Sequence, residues 1–193
     1  MLADCRAQKP CPESARELLN IIAEAVGRTD RARIGLINRA VNLAITPTSD
    51  EAQWRVQDHW SSPLETLQSH RGDCEDYAIL KYVALREAGL SSEDVKIVIL
   101  RNYFPDEYHA VAVARVNGEW LILDNRRLTL VPDTGMIRAT PEFLLDESGA
   151  RRFVLYRSHK CYVDYCTSAQ RRPNVSDRKC WWPLKSRRSV RSP

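Results

Sequence analysis

No stretch of the 193-residue chain approaches the ~20 consecutive apolar residues that span a bilayer as a helix, so no transmembrane segment is expected. Nor does the chain open on a charged region followed by an apolar one, and the sequence as given is expected to carry no signal peptide. No internal repeat is visible. His159, Cys161, Cys166 and Cys180 lack the spacing of a structural zinc site. Disordered and fibrous classes are excluded by a chain that is 44% hydrophobic and 28% charged. The length suits one domain with a core of its own, and is too short for two comfortable ones.

The net charge of +4 conceals an asymmetry. Residues 157–193 carry ten Lys/Arg against Asp164 and Asp177, which leaves residues 1–156 at −4. The basic character belongs to the C-terminal stretch, and no nucleic-acid partner is expected of the folded part. From about residue 158 periodicity is lost and Arg, Lys and Ser accumulate. The organisation read from this is a domain over 1–157 and a poorly ordered, dispensable basic tail over 158–193. Trp181 and Trp182 among the basic residues leave open a binding module acting through that tail.

Six cysteines stand at 5, 11, 74, 161, 166 and 180. Cys5 and Cys11 form the natural close pair in an oxidising compartment, and cysteine usage leans toward an exported protein.

Helical periodicity comes first. Ala15, Leu18, Leu19, Ile22 and Ala25 mark an amphipathic helix ending at Gly27; Ile34, Ile37, Val41 and Ile45 mark a second, capped by Thr29 or Asp30 and stopped by Pro47. Residues 46–61 read as a polar loop. Ser62-Pro-Leu-Glu65 is a capping box with proline at the first helical position. A third long helix runs from Asp73 to Gly89, with Ala78, Ile79, Tyr82, Val83 and Leu85 as its apolar stripe. Beyond it the pattern becomes extended: strands are expected at 95–100, 109–116, 119–124, 128–131 and 152–157. Helices followed by an antiparallel sheet predict an α+β domain.

Cys74 opens the long helix, where unpaired backbone N–H groups favour a thiolate. The same stretch also fits a small cysteine buried in a core helix. Asn117-Gly118 is the strongest short hairpin signal, and a two-residue turn there sets Val111 opposite Asp124. Asp124 is then the diagonal neighbour of His109 on one sheet face, within reach of the imidazole. Cysteine, histidine and acid in this arrangement match a generalised Cys-His-Asp triad. Hairpin parity alone equally allows a solvated histidine and an Asp-Asn turn.

Trp60-Ser-Ser-Pro-Leu-Glu-Thr-Leu67, Gly72-Asp-Cys-Glu-Asp-Tyr-Ala78, His109-Ala-Val111 and Leu123-Asp-Asn-Arg126 resemble the bacterial transglutaminase-like cysteine peptidases in order and spacing. Their best-known members are periplasmic proteases that release biofilm adhesins. The resemblance covers about residues 3–156. It implies a papain/transglutaminase-like fold and a cysteine endopeptidase with Cys74, His109 and Asp124 as triad. It also implies calcium dependence through Asp73, Glu75 and Asp76, a periplasmic location, a protein substrate such as a large adhesin, and an inner-membrane receptor responsive to cyclic di-GMP.

The calcium expectation has a physical counterpart. Carboxylates beside Cys74 oppose thiolate formation, and a divalent cation among them reverses that local field. The same acids could instead simply complement the helix dipole. The triad also supports transfer of an acyl group from glutamine to an amine, so a transglutaminase is the competing enzymatic reading.

Overall fold

The computed structural model describes residues 2–7, 10–135, 138–156 and 160–165. Three helices come first, α1 (Leu2–Arg6), α2 (Glu13–Val26) and α3 (Asp30–Ala44). Cys5 and Cys11 are joined in a disulfide, as their spacing predicts, which ties α1 to the entry of α2. Thr29 takes the N-cap position of α3, and Ile34, Ile37, Val41 and Ile45 are all buried.

The stretch expected to be a polar loop contains two elements, β1 (Thr46–Pro47) and α4 (Asp50–Trp54). The Ala52 N–H donates to the Ser49 hydroxyl at 3.4 Å, an N-cap that starts α4. Next come α5 (Pro63–Ser69) and β2 (Arg71–Gly72), the latter pairing in parallel with β1. α5 starts on the predicted capping box: the Glu65 N–H donates to the Ser62 hydroxyl, and the Ser62 N–H donates to the Glu65 carboxylate at 2.8 Å.

α6 (Cys74–Glu87) ends as expected, with Gly89 at a φ of 95° that an L side chain adopts only under strain. Its burial is broader than the predicted stripe. Tyr77, Ala78, Leu80, Lys81, Ala84 and Leu85 are buried, whereas Ile79, Tyr82 and Val83 are only half-buried. The helix is sandwiched between α2, α3 and α5 on one side and the sheet on the other.

The sheet consists of β3 (Val95–Tyr103), β4 (Asp106–Val116), β5 (Glu119–Leu123), β6 (Val131–Pro132), β7 (Ala139–Asp146), β8 (Gly149–Tyr156) and β9 (Lys160–Tyr165). A 3-10 turn over Asp133–Gly135 joins β6 to the next strand. Spatial order is β6-β5-β4-β3-β7-β8-β9 with every pairing antiparallel, an α+β architecture as predicted. The strand expected over 128–131 shrinks to β6. β7 is a full strand at a position where none was expected; Pro141, a residue that disfavours a ladder position, is accommodated at a register shift opposite Ile99 and Leu100. β9 lies on the far side of the boundary expected at residue 157. The rest of the tail, with Cys166, Cys180 and the tryptophans, falls outside the described residues, as do His159 and the side chain of Cys161.

Side-chain alternation along β4 divides the core. Ala112 and Ala114 join Leu121 and Leu123 of β5 against the helices, while Val111, Val113, Trp120 and Ile122 pack with Val98, Leu100, Leu144 and Phe153 on the opposite face. Three successive inward residues of β4 are alanines, Ala110, Ala112 and Ala114, all buried. Their small size lets α6 lie close to the sheet, and Ala78 of the helix meets Ala110 in a third cluster with Ile97.

Gly72 controls the approach to α6 from the other end. A Cβ on Gly72 would lie 2.6 Å from Asp76 Oδ2 and 2.7 Å from the Asp76 Cβ. Neither atom belongs to a long flexible side chain. Gly72→Ala is expected to destabilise the fold by about 1–3 kcal/mol in urea unfolding, the range for overpacking a well-packed position; an unchanged midpoint contradicts the contact.

Candidate active site

Cys74 is the first residue of α6, and Asp73 occupies the N-cap without making a side-chain capping bond. The thiol donates to Glu75 Oε2 at 3.2 Å and accepts the Ala110 N–H at 3.4 Å. That N–H is free for the purpose because β5 pairs with β4 only as far as Ala112 and Leu123. Burial pushes the thiol pKa up to about 12, the carboxylates of Glu75 and Asp73 add to the rise, and the Ala110 N–H opposes it. The thiolate-favouring pull expected of a helix N-terminus is therefore outweighed by desolvation and neighbouring acids.

His109 stands one residue before Ala110 on β4 and is 2% exposed. Asn117 and Gly118, with φ of 53° and 81°, form the predicted turn, and the register sets Ala112 opposite Leu123. Asp124 emerges where the ladder ends, and its Oδ1 lies 3.0 Å from His109 Nε2. A carboxylate only accepts, so Nε2 is the protonated nitrogen. His109 Nδ1 is buried without a hydrogen-bond partner among the described residues. Asp124 also accepts the Arg126 N–H at 3.0 Å. Although burial raises its pKa, the His109 and Arg126 hydrogen bonds outweigh that and hold it below the ordinary aspartate range. A cavity of about 610 Å³ runs beside this pair, walled in part by Asn102, Phe104, Ile122 and Arg126.

Of the acids expected around Cys74, Asp73 and Glu75 converge with a third residue not foreseen from sequence, Asp50. One carboxylate oxygen from each lies within 4.8 Å of the others. Asp50 is 2% exposed at the start of α4, a helix hidden in the stretch read as a loop. The Ser49 cap followed by Asp50 and Glu51 was the signal that could have revealed it. Asp76 is not in this group: its Oδ1 accepts the Ser61 N–H at 2.8 Å, which fastens the segment before α5 to α6. Burial and the carboxylate of Glu75 drive the Asp73 pKa up to about 8. Asp50 Oδ1 and Asp73 Oδ1 are buried without partners among the described residues. Hard oxygen donors, crowded, mutually repelling and partly unsatisfied, fit a divalent cation. Trp60 is 45% exposed beside this segment, and its indole N–H donates to Asp58 Oδ1 at 3.1 Å.

Comparison with protein families decides what this constellation belongs to. The model of the bacterial transglutaminase-like cysteine proteinases, BTLCP, matches residues 5–136. The chain belongs to this family. Among solved structures, Legionella pneumophila LapG in its calcium-bound form is 22% identical, with a TM-score of 0.64 over 76% of this chain and 83% of that one. The EGTA-treated form of LapG is 23% identical, with a TM-score of 0.65 over 79% and 83%. Comparison with curated proteins gives no match. The likeness to LapG establishes a shared transglutaminase-like α+β fold, and membership of BTLCP makes the chain a transglutaminase-like cysteine peptidase. No helix among the described residues is long and apolar enough to cross a membrane.

The environment of Cys74 in this BTLCP chain makes a pH prediction. The thiolate is the reactive form, and its population rises until pH passes a pKa of about 12. Alkylation of Cys74 by iodoacetamide in metal-free protein, followed by peptide mass mapping, is expected to be slow at neutral pH and still accelerating above pH 9. A plateau below about pH 8 contradicts the assigned environment.

Proposed function

We propose that the protein is a calcium-dependent cysteine endopeptidase that cuts an exposed segment of a surface or periplasmic protein through Cys74, His109 and Asp124. The observation that carries this reading is the 3.0 Å bond from His109 to Asp124, which leaves the other ring nitrogen unpartnered one residue from the N–H that holds the Cys74 thiol. With Nε2–H committed to Asp124, Nδ1 accepts the thiol proton. The sulfur then adds to the carbonyl carbon of the scissile peptide, and the Cys74 backbone N–H is available to the oxyanion as an unpaired donor at a helix start. His109 returns the proton to the leaving amine, giving a thioester between Cys74 and the N-terminal fragment. Water, deprotonated by the same nitrogen, releases the acid and restores the thiol.

Asp50, Asp73 and Glu75 are the residues that would hold calcium. Bound there, the ion would offset the negative charge that disfavours the thiolate. In the metal-free arrangement Glu75 accepts the thiol hydrogen bond and thereby competes with His109 for the proton. The calcium named for one form of LapG agrees with this assignment. The periplasm, an adhesin-type substrate and a cyclic di-GMP-responsive membrane receptor, which the family resemblance of the motifs around Cys74, His109 and Asp124 implies, are the setting we assign.

Quenched peptides in the presence of a fluorescent amine test the reaction. Fragments are expected from the wild-type chain, and none from Cys74→Ala or His109→Ala. Asp124→Asn should retain a residue of activity, lowered by about 10²-fold or more, because it misorients the imidazole without removing the nucleophile. Amine incorporation with the peptide left whole marks a transglutaminase and contradicts hydrolysis. Excess EGTA is expected to abolish cleavage, with calcium restoring it and magnesium restoring it poorly, since magnesium demands a tighter octahedral shell. Asp50→Asn should weaken the calcium response; full activity in chelator contradicts the metal assignment.

A further inference from the structure

Two turns beyond Cys74, α6 turns Lys81 toward the sheet, and Lys81 is fully buried. Lysine is almost never fully buried without compensation. Its Nζ donates to the Leu123 carbonyl at 3.1 Å and lies 5.6 Å from the centre of the Tyr77 ring. The Tyr77 hydroxyl is already engaged, donating to the Ile45 carbonyl at 2.6 Å. Among the described residues Lys81 has no ion-pair partner at contact distance; the acid that acts on it is Asp124. Burial lowers the Lys81 pKa to about 7, and the charge of Asp124 opposes the fall. A methionine of similar length would fill the space with no ammonium to desolvate, so packing alone does not account for the residue.

The hydrogen bond falls at a telling place. β5 ends at Leu123, so the carbonyls of the following turn lose their ladder partners and need other donors. Leu123 receives Lys81, while the carbonyl of Asp124 receives Asn42 Nδ2 at 2.9 Å. Asn42 reaches the Arg127 carbonyl at 2.8 Å as well, and the buried Asn38 reaches it at 2.9 Å. The peptide groups on both sides of the Asp124 Cα are thus gripped from the helical layer, one from α6 and one from α3.

We propose that Lys81, together with Asn42, is a positioning residue that fixes the backbone about Asp124 so that its carboxylate meets His109. Lys81 touches no reacting atom; it links the helix that presents the thiol to the turn that presents the acid. Its catalytic consequence rests on the triad reading above, whereas its geometric consequence does not.

Two readouts separate those levels. In ¹H–¹⁵N NMR at low temperature, the His109 Nε2–H held by Asp124 gives a downfield resonance. Lys81→Met is expected to broaden it or move it upfield in a chain that still melts cooperatively. In hydrolysis of the fastest-cut quenched peptide, kcat should fall about tenfold with KM unchanged. The loss should disappear when Asp124 is already Ala, because Lys81 acts through it. If Lys81→Met does not fold, Asn42→Ala, at a half-buried position, carries the same prediction at about fivefold. A folded variant whose His109 resonance stays at the wild-type position overturns the proposal, as do losses that multiply with Asp124→Ala. Absence of hydrolysis in the wild-type chain counts against the peptidase reading alone, since the NMR readout needs no turnover.

Discussion

The close approach of α6 to β4 is the constraint on which the site depends. It is permitted by the small side chains Ala110, Ala112 and Ala114, which are buried between helix and sheet. At that distance the first residue of the helix reaches the backbone of the strand, and the Cys74 thiol takes the Ala110 N–H that β5 leaves unpaired. His109 is the preceding residue, so helix packing and strand register together set the thiol against the backbone of the residue that follows the imidazole. Larger residues on this face of β4 would lift the helix and draw the Cys74 thiol away from the Ala110 N–H, without touching Cys74 or His109.

Electrostatics at this junction work in opposition. A helix start favours a thiolate, yet burial and two adjacent carboxylates hold the proton on sulfur. Asp50 completes a cluster whose members repel one another, with two buried carboxylate oxygens unsatisfied among the described residues. Such an arrangement is costly by itself and favourable around a cation, which is the physical ground for the calcium dependence we propose. The aspartate bonded to His109 has the opposite setting. Asp124 is kept ionised by His109 and the Arg126 N–H, and its backbone is gripped by Lys81 and Asn42.

Local signals were legible in the sequence where chemistry is local. The Ser62 capping box, the Asn117-Gly118 turn and Gly89 at the end of α6 each depend on neighbours in the chain, and each forms as read. The His109–Asp124 pairing followed because a two-residue turn fixes register, and register fixes which side chains share a face. Asp50 was not legible because its partners lie 23 and 25 positions away, brought close by the seating of α4 against β2. Lys81 broke the expected amphipathic stripe, since periodicity assigns a lysine to solvent and cannot see the carbonyl that receives it. β7 was not expected, and Pro141 within it, a residue that disfavours a ladder position, is accommodated at a register shift.

The central claim is that Cys74 becomes covalently acylated during peptide cleavage. Rapid acid quenching of the calcium-supplied enzyme during turnover of a cleavable peptide, followed by intact-mass and peptide mapping, tests it directly. The account predicts a thioester on Cys74 with the mass of the N-terminal fragment less one water, present in the wild-type chain and absent in His109→Ala. Peptide cleavage at an undiminished rate with Cys74 unmodified at every time point, or acylation confined to another cysteine, would contradict it.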